Sequence, residues 1–171
     1  MESVIYIIAQ VIGLIAFIVS LCAYHKKNKK SILDNMIISN FLNVIHYILL
    51  NAPSGYITKG LAIARDTFIL KKGKHKKLSN VGFLYIFVFI YLGFMYLTYD
   101  GIISIFPFAA SIYYLIGIWN ADELHVKKVA MYSFIPWLVY NICVLSISGI
   151  ISNIISIVST LIAIENDNSC K

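Results

Sequence analysis

The sequence predicts an all-α membrane protein. Seven transmembrane helices form two parallel three-helix units joined by an inversion linker helix (3+1+3), with the amino terminus outside and the carboxyl terminus cytoplasmic. Three observations predict this. First, the 171 residues are 60% hydrophobic and only 13% charged, with a mean hydropathy of +0.81. A soluble domain has roughly 25% charged and about 45–50% apolar residues, so a water-soluble, disordered or collagen-like chain is excluded. Second, apolar runs follow one another with almost no room between. Third, lysine-bearing and lysine-free connectors alternate. The net charge of +6 does not point to nucleic acid, because the lysines sit in short blocks between apolar spans.

The spans read as 3–24, 32–51, 54–70, 80–98, 102–119, 127–146 and 149–165, against about 20 residues needed to cross a bilayer. The whole chain, 1–171, is then one transmembrane domain. Residues 1–77 form the first unit with a basic loop, 78–100 the linker helix, and 101–171 the second unit with a short tail. The first span is not a cleaved signal peptide, since only Glu2 precedes it and the basic block follows it. Asn51-Ala52-Pro53-Ser54, Tyr99-Asp100-Gly101 and Ser146-Ile147-Ser148-Gly149 are tight turns. The other connectors, 25–30, 71–77 and 121–128, carry the lysines. The positive-inside rule puts these in the cytoplasm, where they also attract anionic lipid. An outside amino terminus and a cytoplasmic carboxyl terminus need an odd number of spans. The fourth, aromatic and uncharged, has no chemistry to do.

A repeat is legible at an offset of 94 residues, pairing Gly55 with Gly149, Ser39 with Ser133, Ala16 with Ala110 and Gly13 with Pro107. The glycines mark the turn in each copy. Because the fourth span returns the chain to the outside, both units share one orientation, related by an axis along the membrane normal. Gly13 and Pro107, breakers in the first helix of each unit, are candidate hinges. Cys22, Cys143 and Cys170 lack metal or redox spacing; in apolar runs, Cys22 and Cys143 read as small packing residues.

Ionisable groups within spans cost about 2.5–3.5 kcal/mol each and usually face the bundle interior. The third span holds Lys59, Arg65 and Asp66. At 1.5 Å per residue, Lys59 lies roughly 8 Å and Arg65 roughly 16 Å below the outer turn. Three readings follow: a charged wall of a polar cavity, a neutralised Arg65–Asp66 pair bracing the bundle, or span boundaries drawn a turn too deep. In the second span, Ser39, Asn43 and His46 form a polar stripe flanked by Asn40 and Tyr47. Ser133, Trp137 and Tyr140, with Asn141 alongside, are their counterparts in the repeat. Ser148, Ser152, Ser156 and Thr160 recur every four residues, a spacing that reads as close helix packing. Asn153, at the place of Lys59 in the other copy, is the exception.

The layout resembles the SWEET and PQ-loop carriers and the PnuC nicotinamide riboside carriers. A closer resemblance, over nearly the whole chain, is to the YgjV family of bacterial inner membrane proteins. It rests on Gln10 to Ala16, Lys26-Lys27-Asn28-Lys29-Lys30, Ser39-Asn40, His46 to Leu50, Gly55, Arg65, Pro107, Pro136 to Asn141 and Gly149-Ile150-Ile151. That family commonly has Asn at the place of Lys59 and Arg-Asn in place of Arg65-Asp66, and the Pro-Gln pair of PQ-loop carriers is absent here. SWEET carriers use an Asn in the last helix of each unit and a Trp in the preceding one. Trp137 and Asn153 match this in the second unit, whereas Asn43 and Lys59 stand there in the first. The resemblance implies a multi-pass protein of the bacterial cytoplasmic membrane.

The functional expectation is a small-molecule carrier using alternating access. Its partners are the lipid bilayer and a small polar solute of unidentified structure, with homo-oligomerisation left open. Lys59, Arg65 and Asp66 would supply charge, Asn43, His46, Asn141 and Asn153 hydrogen bonds, and Trp137 and Tyr140 stacking. The alternative is a non-transporting scaffold or regulatory protein with a packed, dry centre. No metal-ligand spacing, HExxH, GxSxG or phosphate-cradling loop is present, so neither an enzyme nor a cofactor is expected.

Overall fold

The computed structural model describes residues 2–73 and 76–169. Lys74, His75 and Cys170 of the sequence reading lie outside the described residues. Among these residues the chain forms seven α-helices and no strand: α1 (Glu2–Tyr24), α2 (Lys29–Leu49), α3 (Pro53–Lys72), α4 (Val81–Leu97), α5 (Ile105–Ile118), α6 (Glu123–Cys143) and α7 (Ile147–Ser169). Short 3-10 turns at Lys76–Ser79 and Ile102–Ser104 lead into α4 and α5. Each expected span therefore has its helix.

Three segments are long and apolar enough to cross a membrane: Ser3–Ala23, Lys29–Leu49 and Ile147–Glu165. Val81–Leu97 and Ile102–Ile118 are apolar but shorter. In α3 the apolar run is interrupted by Lys59, Arg65 and Asp66, and in α6 it is diluted by Lys127, Lys128 and several Tyr, Trp and Asn residues.

Helices α2 and α6 begin about one turn before their apolar runs, because a polar connector residue caps them. Asn28 Oδ1 accepts from the Ser31 N–H at 2.8 Å, and Asp122 Oδ1 from the His125 N–H at 2.9 Å. Asn80 serves α4 in the same way, accepting from the Gly82 N–H at 2.8 Å. Such caps satisfy amides that the first helical turn leaves unpaired.

The turns after α2 and α6 differ from the sequence expectation. The left-handed residues are Asn51 (φ 52°) and Leu145 (φ 53°), not Gly55 and Gly149. The Ala52 N–H reaches Tyr47 O and the Ser146 N–H reaches Asn141 O, both at 2.9 Å. These six-residue closures are Schellman motifs. Gly55 and Gly149 fall in the first turns of α3 and α7, where they permit close approach. A Cβ at Gly55 would lie 2.7 Å from Tyr47 Cγ, and one at Gly149 would lie 2.6 Å from Asn141 Cγ.

Helix packing closes a ring in the order α1, α2, α3, α5, α6, α7 and back to α1, with α2 also touching α6. Helix α4 packs on α5 and α3 from outside that ring, and Tyr91 is its buried residue. The lysine connectors converge at one end. Lys29 Nζ donates to Ile118 O and Ala121 O, both at 2.9 Å, while Lys72 Nζ donates to Trp119 O at 2.5 Å and Asn120 Oδ1 at 2.7 Å. Two ammoniums thus sit on the exposed carbonyls ending α5, where the helix dipole favours cations.

The bundle turns apolar residues outward and buries polar groups alongside an apolar core around Leu33, Phe108 and Leu115. Its outer surface carries Ile7, Val11, Ile18, Phe41, Phe89 and Ile154, whereas Ser39, Asn40, Arg65, Asp66, Ser111 and Asn141 are buried. Cys22 and Cys143 also face outward, correcting their reading as packing residues. In a bilayer-facing helix both faces are apolar, so an apolar neighbourhood in sequence does not imply the interior.

A polar cavity inside the helix ring

The cavity forms because α2, α3, α6 and α7 turn their polar positions inward. Its volume is about 80 Å³, enough for a few water-sized groups. Residues from α1, α2, α3, α5, α6 and α7 line it, among them Asn43, Lys59, Arg65, Trp137, Asn141 and Asn153. Ser148, Ser152 and Ser156 do too, so the stripe read as helix packing largely faces this space.

The third helix supplies the charge. Arg65 Nε donates to Asp66 Oδ1 at 2.8 Å, with the two residues 4% and 0% exposed. The guanidinium carbon lies 4.5 Å from the Tyr114 ring centroid, and Asn40 Nδ2 donates to Asp66 Oδ2 at 3.3 Å. Arg65 thus lines the cavity and is also neutralised by Asp66, combining elements of the first two readings. Asp66 does not line the cavity. Lys59 behaves differently: its ammonium lies over the Trp137 ring, 3.9 Å from the centroid.

Two expected site residues are spent on structure. His46 Nδ1 is 2.7 Å from Ala9 O and Nε2 is 2.8 Å from Ser146 Oγ. A carbonyl only accepts, so Nδ1 carries the proton, and in the neutral ring Nε2 accepts from the serine hydroxyl. Ser146 Oγ also accepts from the Gly149 N–H at 3.1 Å, which caps α7. Tyr140 OH accepts from the Gly55 N–H at 2.9 Å, which does the same for α3. His46 and Tyr140 therefore link helix ends and are not among the residues lining the cavity. Tyr47, undervalued as a flanking residue, donates to Asn141 Oδ1 at 2.7 Å and stacks with Trp137 at 5.8 Å.

The hinge candidates, Gly13 and Pro107, sit within or at the start of regular helices. Pro107 is the third residue of α5, in the first turn, where the missing N–H costs the helix nothing. The proline within a helix is Pro136 of α6, which the sequence reading used only as part of a resemblance. Gly13 lies inside a continuous α1, and a Cβ there would come 2.2 Å from Ser148 Oγ and 2.9 Å from His46 Nδ1. Its visible role is close packing.

An apolar exterior, polar groups held inside and helices of membrane-crossing length together mark an integral membrane protein. The family model of Imp-YgjV, described as bacterial inner membrane protein, matches residues 7–169. The chain belongs to this family. No curated protein and no solved structure shows a significant match. Imp-YgjV membership accounts for the apolar outer surface and leaves the role of the cavity to be read from its chemistry. Among the described residues no three His, Cys, Asp or Glu side chains cluster as a metal site.

Proposed function

We propose that this Imp-YgjV protein is a multi-pass carrier that moves a small polar solute by alternating access between two three-helix units. The units are α1–α3 and α5–α7, joined by α4 as an inversion linker, with the amino terminus outside. The observation that carries the reading is the polar cavity between the two units, with both contributing to its wall.

The repeat is supported by bonds that recur 94 residues apart. The Asn51 and Leu145 turns, with their closures to Tyr47 O and Asn141 O, are one such pair. Thr58 Oγ1 to Gly55 O and Ser152 Oγ to Gly149 O are another. Tyr47 and Asn141, which hydrogen-bond each other, are themselves equivalent under this offset. A contact between equivalent residues is what a two-fold axis between units requires. His46 and Tyr140 are equivalent too, each reaching the start of the other unit's third helix. The ring obeys the same rule, since α1 on α7 matches α5 on α3. This architecture supports the likeness to SWEET-type carriers.

In this reading Lys59 and Arg65 give the cavity its charge, Asn43, Asn141 and Asn153 its hydrogen-bonding groups, and Trp137 an aromatic wall. No enzymatic role is proposed. A second reading, a non-transporting scaffold or regulatory protein, is favoured by the internal neutralisation of Arg65 by Asp66. Cysteine scanning separates the two. On a background with Cys22, Cys143 and Cys170 replaced by serine, single cysteines at Asn43, Trp137 and Asn153 are challenged with a small maleimide. Labelling from both sides of the membrane is expected of a carrier, while protection from both sides overturns it in favour of the scaffold.

A further inference from the structure

The cavity wall carries cationic groups and no anionic one. The Arg65 charge is balanced by Asp66 just behind the wall. Lys59 rests against the π face of Trp137, with no carboxylate of the described residues within ion-pair distance. A ring quadrupole orients an ammonium but does not cancel its charge. An intramembrane charge in this condition is a functional feature by default.

The neighbouring hydrogen-bonding groups point the same way. Asn153, only 8% exposed, has an amide nitrogen without an acceptor, and the Ser148 hydroxyl also lacks a partner. Asn141 Oδ1 is taken by Tyr47, and the Asp66 carboxylate, behind the wall, is taken by Arg65 and Asn40. A cleft lined by positive groups and no carboxylate favours a negatively charged occupant. The volume of about 80 Å³ limits the occupant to a few heavy atoms.

We infer that the ligand of this cavity is a small, singly charged oxyanion such as a short carboxylate, held by the Lys59 ammonium together with the Asn153 amide. The inference rests on the cavity being a solute site, and it names the solute class. Charge-assisted hydrogen bonds from Lys59 and Asn153 select for negative charge, and Trp137 holds the ammonium in place.

The test is thermal unfolding of the purified full-length protein in nanodiscs at constant ionic strength. The probes are acetate, neutral acetamide of nearly the same shape, and gluconate as an oversized carboxylate. Acetate is expected to raise the unfolding midpoint saturably, and the other two are not. Lys59→Met should abolish the acetate response. Asn153→Ala should weaken it on the order of tenfold, and it carries the test if Lys59→Met does not fold. Acetamide or gluconate protecting as well as acetate, an undiminished response in both variants, or no probe protecting the wild-type protein overturns the inference. Flux in liposomes separates it from the carrier reading. Acetate binding with no flux of any solute ends the carrier reading and leaves the anion site standing. Flux of neutral solutes without anion binding overturns the anion site alone.

Discussion

Arg65 and Asp66 are adjacent in sequence, yet they bond through Nε and Oδ1 at 2.8 Å with both residues buried. Removing one partner of such a pair strands a buried charge at about 3–5 kcal/mol, whereas replacing both with apolar groups is often neutral. Arg65→Ala is therefore expected to lower the unfolding midpoint sharply, and Arg65→Met combined with Asp66→Leu to restore most of it. Measuring both in detergent checks the pair as a structural unit. If Arg65→Ala alone is harmless, the charge is not neutralised as seen. A second contrast concerns size. Gly13→Ala places a methyl 2.2 Å from Ser148 Oγ, while Gly60→Ala meets nothing within 4 Å. The first should cost about 1–3 kcal/mol, and the second should leave stability equal or higher. Thermal unfolding of the two variants side by side would show it.

At the scale of helices, the two Schellman turns are informative because one is built better than the other. Asn tolerates the left-handed region of Asn51, whereas Leu145 occupies it at φ 53° while 70% exposed. Leu145→Asn should thus stabilise by up to about 1 kcal/mol, read as a higher unfolding midpoint. The beginning of α7 offers the opposite case. Ser146 caps Gly149 and bonds His46, so Ser146→Ala should cost about 0.5–2 kcal/mol through the cap. A midpoint unchanged in Ser146→Ala would show that neither bond contributes. The helices themselves were legible in hydropathy. The exact turn residues were not, because glycine was read as the turn former when its role was to admit Tyr47 and Asn141.

Taking the molecule as a whole, the ring of six helices and the convergence of Lys29 and Lys72 on the end of α5 set two chemically different ends. Positive residues favour the cytoplasmic side. Cysteines at Asn51, Asp100 or Leu145 should react with a membrane-impermeant maleimide added to intact cells. Those at Asn28 or Asn120 should react only after permeabilisation. The reverse pattern would invert the proposed topology, and reaction of both groups from one side would break the alternation of spans.

The sequence by itself determined that the chain is an apolar, helical membrane protein, where its helices lie, and that Lys59, Arg65 and Asn153 are out of place in lipid. These are properties of local composition and of the 3.6-residue period, which a single strand of text carries. Which long-range partners satisfy the buried polar groups was decided only by tertiary packing. His46 and Tyr140 read as candidate ligands from spacing, and their partners, Ser146 and Gly55, come from the opposite half of the chain. Cys22 and Cys143 looked internal until packing turned them outward. The physical reason is that a buried polar side chain is satisfied through space, by groups about 85 to 100 residues away, and spacing along one helix does not reveal whether that partner is present.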